Sequence, residues 1–315
     1  MVQKKITLVL SLYNEAEGML LFYEQLRAEL TPFPQYDFEV IWINDGSKDH
    51  TQKLMDSIKS SETCDNISHV TIEFSNNFGH EAALIAGIDN ATGDAVICMD
   101  SDGQHPPAAI PHMIESYNQG YEIVLMQRNN GFERGPIKNK VVSLGYQVIN
   151  AFFPFQIVKD CPDFYLLSAQ AIAVLKTNFR DKNRFIRGAI QSLGFSRIIL
   201  PFSVPQRKFG QSSNSYWQLL RFASIGILTF STKPLKLVVI ILSFYLIGAA
   251  LYFGIILKNH LMNGTPISNS SLVILILLFS FSILFFSMII ITPYLENALN
   301  EIRPRPIYII KKISK

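Results

Sequence analysis

The chain has 315 residues, 49% of them hydrophobic, and a formal net charge of +3. That charge is too small to mark a nucleic-acid-binding protein, and the length allows one large domain or two smaller ones. Cys64, Cys98 and Cys161 are scattered, odd in number and without metal-ligand spacing, which argues against a disulfide framework and for a reducing compartment.

The opening MVQKKITLVLSLYNE has a basic start, but its apolar run is too short for a signal-peptide core. ITLVLSL (6–12) reads as a first strand instead, so nothing here exports the N-terminal domain. EAEGMLLFYEQLRAEL (15–30) has the period of an amphipathic helix. FEVIWI (38–43) is a strand and TQKLMDSIKS (51–60) a helix. HVTIEF (69–74) is a strand, followed by a helix over EAALIAGIDNA (81–91). AVICMD (95–100) is followed by a helix near AAIPHMIESYNQG (108–120), and EIVLMQ (122–127) is a fifth strand. Strands alternating with helices, several apolar throughout, predict an α/β fold with a mostly parallel sheet covered on both faces. Such sheets bind ligands at the carboxyl ends of their strands, near the point where strand order reverses. Tyr13-Asn14-Glu15, Asn44-Asp45-Gly46-Ser47 and Asp100-Ser101-Asp102 stand at three such ends. One loop aspartate is usually only solvated; three polar ends on one edge read as a site.

Asp100 and Asp102 close an apolar strand and are followed by Gly103, His105, Pro106 and Pro107. Strand alternation would turn both carboxylates the same way, about 7 Å apart. Two close anions repel unless a cation lies between them, and hard divalent ions favour such oxygens. A cation there could in turn hold a pyrophosphate. A helix N-cap is the alternative use of the aspartate, but two prolines separate Asp102 from the next helix. No G-x-x-x-x-G-K-[ST] occurs, nor a G-x-G-x-x-G after the first strand, which excludes P-loop and dinucleotide-binding enzymes on motif grounds.

Apolarity concentrates after Lys233. Leu237–Leu257 and Leu272–Thr292 are uncharged stretches of about 21 residues, near the ~20 that cross a hydrocarbon core. The short polar loop 258–271 joins them, so they predict a transmembrane hairpin. Lys233, Lys236, Arg303, Arg305, Lys311, Lys312 and Lys315 lie outside it and only Lys258 in its loop, which puts both termini in the cytoplasm. SYWQLLRFASIGILTF (215–230) and VVSLGYQVINAFFPFQIV (141–158) read as interfacial helices, with ordinary core packing as the alternative.

The blocks LSLYNEAEG (10–18), INDGSKDHT (43–51), NFGHEAALIAGIDNATGD (77–94) and MDSDGQHPP (99–107) resemble family-2 glycosyltransferases of the GT-A fold. More narrowly, they resemble the membrane-attached polyprenyl-phosphate glycosyltransferases related to dolichyl-phosphate mannose synthase. RNNGFERG (128–135), CPDFYLLS (161–168), NRFIRGAIQSLGF (183–195) and FSTKPLKL (230–237) continue the resemblance in order over nearly the whole chain.

The resemblance implies inverting transfer of a single sugar from a nucleotide-diphosphate sugar to a polyprenyl phosphate at the cytoplasmic membrane face. The expected donor is a UDP-sugar and the expected acceptor undecaprenyl phosphate. Leu12, Tyr13, Asn14, Glu15, Asp45, Asp100 and Ser101 are then the nucleotide contacts, and Asp100, Asp102 and Gln104 the ligands of Mg²⁺ or Mn²⁺. Arg128, Arg134, Arg187 and Arg207 would bind diphosphate or lipid phosphate, as fork-shaped donors suit. Asp102, Asp163, Arg128 and Arg134 would serve catalysis, in a homo-oligomer.

Three departures stand out. Ser11 replaces the usual proline, a change expected to alter stiffness and not chemistry. Asp163-Phe164-Tyr165 lacks the arginine of D-F-R. Gly210-Gln211-Ser212-Ser213-Asn214 lacks the lysine of G-x-S-K-Y. Asp163 is expected to orient the sugar or an arginine such as Arg134 or Arg187, not to act as a base, because a phosphate monoester at pH 7 is already mostly dianionic.

The expected organisation is a cytosolic GT-A domain (1–212), a juxtamembrane amphipathic helix (213–232), the hairpin (233–295) and a cytosolic basic tail (296–315). A processive polysaccharide synthase is the alternative, but neither Trp42 nor Trp217 sits in a Q-x-x-R-W context. A non-enzymatic membrane scaffold would leave the D-x-D without a purpose.

Overall fold

The structure is a computed structural model. It describes residues 3–315 except 130–142, 144, 148–149, 182–184, 205–223, 225, 228, 264–269 and 304. Arg134, Arg207, the 210–214 element and most of the expected juxtamembrane helix lie outside the described residues.

The chain begins β1 (Lys4–Leu12), α1 (Met19–Leu30), β2 (Tyr36–Asn44), α2 (Thr51–Ser61), β3 (Ile67–Phe74), α3 (His80–Asn90), β4 (Ala95–Asp100). A 3-10 turn at Pro107–Ala109 leads into α4 (Ile110–Asn118) and β5 (Ile123–Arg128). The five expected strands and four expected helices are all present. Beyond them come β6 (Tyr165–Ser168), α5 (Ala169–Asn178), α6 (Ile186–Ser192) and β7 (Arg197–Phe202).

The sheet has eight strands in the order β7-β5-β6-β4-β1-β2-β3, with β8 (Ile310–Ser314) outside β3. β1 pairs in parallel with both β2 and β4, so strand order reverses at β1. β6 runs antiparallel between β4 and β5. Register levels the strand ends: Leu12 faces Asn44, and Ser11 faces Asp100.

Both faces are covered, which explains the continuous apolar strands. Ile6, Leu8, Leu10 and Leu12 of β1 pack with Phe22, Leu26 and Leu30 of α1 on one side. Val9, Ile41 and Ile43 pack with α3 on the other. Gly87 permits that contact: a Cβ there would lie 2.2 Å from Val9 Cγ1, so only glycine lets α3 settle onto β1. This close approach places the amino end of α3 beside the carboxyl ends of β1 and β4.

α7 (Lys233–Asn263) and α8 (Ser270–Ile302) have 31 and 33 residues. At 1.5 Å per residue each is roughly 45–50 Å long, longer than a hydrocarbon core. Phe244, Leu246, Phe279, Phe285 and Ile289 are among their apolar side chains left exposed. By length and composition, Phe279–Ile302 is the one stretch among the described residues that is apolar enough to cross a membrane. It lies further along the chain than the expected second span.

The tail differs from expectation. Residues 296–302 continue α8, and Ile310–Ser314 adds an antiparallel strand to β3. Tyr308 stacks on Phe74 at 5.3 Å between ring centroids, and its hydroxyl donates to Asp89 Oδ2 at 2.8 Å. Lys311 pairs with Glu73 at 2.5 Å. Lys311 and Lys312 thus decorate a sheet edge, where lysines discourage further pairing. Part of the 141–158 segment also departs from an interfacial helix: Phe153 and Ile157 are buried and pack with Phe185.

Candidate active site

The polar residues at the ends of β1, β2 and β4 share one edge, but they do different work. Leu12 is 1% exposed; its side chain is core, and its carbonyl accepts the Asp45 N–H. Any contact of Leu12 with a nucleotide would therefore come from its backbone. Tyr13 is 44% exposed and open to a base or ribose. Asn14 adopts φ 56°, a conformation asparagine tolerates. Its N–H donates to Ser47 Oγ, and its Oδ1 accepts the Lys48 N–H, each at 2.9 Å. The Glu15 N–H donates to Thr51 Oγ1 at 3.1 Å. Tyr13-Asn14-Glu15 and the loop after β2 are thus one locked unit.

Asp45 is buried, and its carboxylate accepts the N–H groups of Phe78 at 2.6 Å and Gly79 at 2.9 Å. It holds the loop that launches α3. Gly46 beside it has φ +69°, and a Cβ there would lie 2.6 Å from the Asn76 carbonyl carbon, so a side chain would push the two loops apart.

At β4, Ser101 is buried, and its hydroxyl donates to the Ser11 carbonyl at 3.5 Å, which ties the ends of β4 and β1. Asp100 and Asp102 flank it and are half-buried, as alternation requires. Asp102 Oδ1 accepts the Gln104 N–H at 2.9 Å, which closes the turn locally and leaves the N-cap alternative without support. Gln104 Oε1 accepts from Arg128 Nη2 at 3.3 Å. Arg128, at the end of β5, is thereby brought to the D-x-D turn as expected.

Asp163 is 1% exposed. Arg187 grips it with two nitrogens, Nε on Oδ1 at 2.8 Å and Nη2 on Oδ2 at 2.5 Å. Burial alone would raise the Asp163 carboxyl, but Arg187 and His80 hold it far below the usual carboxylate range. A carboxylate held so firmly in its charged form is a poor proton acceptor. Of the two arginines expected near Asp163, Arg187 is the one in contact with it; Arg134 lies outside the described residues.

Three residues beyond those expected stand at the site, and Ser11 takes a part that was not expected of it. His80, the first residue of α3, sets Nε2 3.2 Å from Asp163 Oδ2 and 3.6 Å from Asp100 Oδ1. Its Nδ1 shares a 2.7 Å hydrogen bond with Ser11 Oγ. Ser11 therefore brings a hydroxyl contact to His80 that a proline could not make. Burial opposes charge on His80, but Asp100 and Asp163 outweigh it and raise its pKa to about 9. Glu81 follows: Oε2 accepts the Ile186 N–H at 3.4 Å, while Oε1 is buried without a hydrogen-bond partner. Burial, and then the Asp163 charge, push Glu81 up to about 7.

The third is His105. It is fully buried and stacks on Phe164 at 4.8 Å, and its Nδ1 accepts the Asp100 N–H at 2.8 Å. Its pKa is lowered, chiefly by burial. The sequence signals were present in the two motif blocks: NFGHE puts a histidine and a glutamate at a helix start, and GQHPP puts a histidine inside the D-x-D turn.

Among the described residues no three His, Cys, Asp or Glu side chains cluster closely enough to hold a cation by themselves. Asp100 and Asp102, half-exposed at the strand end, present hard oxygen donors of the kind Mg²⁺ and Mn²⁺ take. A donor set this small leaves coordination positions for diphosphate oxygens, and in that sense it fits a cation brought in with a nucleotide.

Residues 7–173 match the model of the family described as glycosyl transferase family 2. The chain belongs to that family. It is 32% identical over 308 residues to the SfII prophage-derived bactoprenol glucosyl transferase of Shigella flexneri, covering 98% of each chain. It is 33% identical over 313 residues to the putative glycosyltransferase CsbB of Bacillus subtilis (strain 168), covering 99% of this chain and 93% of that one. Glucosyl-3-phosphoglycerate synthase from Mycobacterium tuberculosis, crystallised with Mn²⁺, UDP-glucose and phosphoglyceric acid, aligns with 72% of this chain and 78% of its own, at 18% identity and TM-score 0.45. In this glycosyltransferase, His80, Asp100, Asp102 and Asp163 fall inside the family match and Arg187 beyond it.

Proposed function

We propose that this glycosyltransferase moves one sugar from a nucleotide-diphosphate sugar, UDP-linked in the first instance, to a polyprenyl phosphate such as undecaprenyl phosphate. The reaction takes place at the cytoplasmic membrane face and inverts the anomeric centre. One observation carries the reading: the D-x-D turn, Arg128 and the Asp163–Arg187 pair converge at one sheet edge, in a chain that continues into two long helices with exposed apolar side chains. Full-length similarity to proteins named bactoprenol glucosyl transferases supports the acceptor class.

In this reading Tyr13 and the locked loops after β1 and β2 receive the nucleoside. Asp100 and Asp102, with Gln104 beside them, would hold a divalent cation. When bound, the cation supplies Lewis-acid neutralisation of the leaving group. Arg128 faces the diphosphate. Arg187, fixed in angle by Asp163 and one-third exposed, meets the acceptor phosphate; a rigid guanidinium suits that geometry. An oxygen of the lipid phosphate attacks the anomeric carbon as the bond to the diphosphate oxygen breaks, and the bonding pair leaves with the nucleoside diphosphate. The acceptor oxygen carries no proton at neutral pH, so no residue need remove one.

The tail supports a membrane hairpin. β8 follows α8 yet joins the same sheet as β1, which precedes α7. A single crossing would put β8 across the bilayer from β3. Chain that enters a bilayer and returns must cross it an even number of times, and in this reading α7 and α8 are the helices that would make the two crossings. Lysine and arginine placement then sets the sheet in the cytoplasm.

The test is to incubate the purified chain with Mg²⁺ or Mn²⁺, a panel of UDP- and GDP-sugars, and either undecaprenyl phosphate or undecaprenol. Transfer to the phosphate alone, with release of nucleoside diphosphate, is expected. Transfer to the alcohol, or chains of several sugars, would overturn the reading.

A further inference from the structure

His80 ties together three elements at their active ends. It starts α3, its Nδ1 meets Ser11 of β1, and its Nε2 faces Asp100 of β4 and Asp163 ahead of β6. Its ring is 39% exposed, and both ring nitrogens face polar partners. We propose that His80 is a positioning residue for sugar transfer: one ring nitrogen links the donor-side carboxylate, Asp100, to the acceptor-side carboxylate, Asp163, and Ser11 sets the ring's angle. The assignment of sides rests on the function proposed above.

Asp163 Oδ2 takes both Arg187 Nη2 and His80 Nε2, and Oδ1 takes Arg187 Nε. Three donors on two oxygens stop the carboxylate from turning, and Arg187 with it. Asp100 Oδ1 lies 3.6 Å from the same ring nitrogen, at ion-pair distance, and the Asp100 backbone N–H donates to His105 Nδ1. Without His80, Asp163 keeps Arg187 but loses its third donor, and Asp100 loses the ring beside its carboxylate, at the point where reacting groups must align. Ser11 supplies what a proline could not, a hydroxyl for the second ring nitrogen. The departure from the usual proline and the histidine in NFGHE thus form one unit, assembled because Gly87 seats α3 close to β1.

The experiment uses the full chain in detergent with His80→Ala, His80→Gln, Ser11→Ala and the His80→Ala/Ser11→Ala double variant. His80→Ala should lower kcat on the order of 10- to 100-fold, as loss of alignment does, with donor KM within about twofold. His80→Gln should recover part of the loss, because its amide can still donate to Asp163. Ser11→Ala should cost roughly threefold alone and nothing further once His80 is alanine, the non-additivity expected of contacting residues. An unchanged kcat, a raised donor KM at constant kcat, or full additivity of the two changes would overturn the proposal.

A second readout does not need turnover. With ¹⁵N-histidine labelling, Ser11→Ala should shift the Nδ1 resonance of His80 and Asp163→Asn its Nε2 resonance. If neither moves, the link is absent. If both move while wild type transfers no sugar, the function reading falls and the His80 link stands.

Discussion

Replacing Arg187 by alanine should destabilise the domain as well as silence it, because it strands a buried charge. Asp163 is 1% exposed and Arg187 33%. Removing one partner of a fully buried ion pair costs about 3–5 kcal/mol. Arg187 is partly solvated, and His80 still donates to Asp163, so the expected cost falls to about 2–3 kcal/mol. At roughly 2–4 °C per kcal/mol for a chain of this class, the apparent Tm should drop by roughly 4–12 °C. Buried Trp42 provides a fluorescence signal for the melt. Asp163→Asn alone should cost less, since it leaves a cation that water can reach. The double variant should be more stable than the sum of the single losses implies, by about 1–2 kcal/mol. A Tm within about 1 °C of wild type for Arg187→Ala, or strict additivity, would show that the pair is not coupled as described.

Further consequences can be measured separately. Asp102→Asn should lose most transfer activity, as should wild type in excess EDTA; full activity in EDTA would remove the cation from the account. Glu81 titrates near 4.5 unfolded and near 7 folded, so the folded state binds the extra proton and stability falls as pH rises from about 4.5 to 7. Glu81→Gln should accordingly gain up to ~3 kcal/mol over wild type at pH 8 relative to pH 5, read as a Tm difference that grows with pH; a constant difference would contradict the burial argument. Tags before Met1 and after Lys315 should both be digested in inside-out vesicles; protection of either would break the hairpin.

The parallel core was legible because its strands are buried on both faces and so read as unbroken apolar runs, as in AVICM ahead of Asp100. The strand-end aspartates were legible from their position alone. Their division of labour was not. Asp45 and Asp100 look alike in the sequence, yet Asp45 is consumed by the Phe78 and Gly79 N–H groups while Asp100 remains half-exposed. That difference depends on how a loop thirty residues away returns. β8 was hidden for a similar reason: KKIS is short and basic, and only the edge of β3, more than two hundred residues earlier, makes it a strand. His80 escaped notice because its signal, a histidine opening the helix after NFG, does not say which groups the fold will bring around it: Ser11, Asp100 and Asp163.

The central claim is that the acceptor arrives already ionised and that Asp163 aligns Arg187 and takes no proton. The deciding measurement is kcat/KM for the lipid phosphate across pH 5–8, in wild type and Asp163→Asn. The rate should rise through roughly pH 6, the second ionisation of a phosphate monoester, and then level off, with Asp163→Asn lower throughout but showing the same limb. A variant that loses the limb, and regains its rate when small-molecule bases are added, would make Asp163 the base and contradict the account.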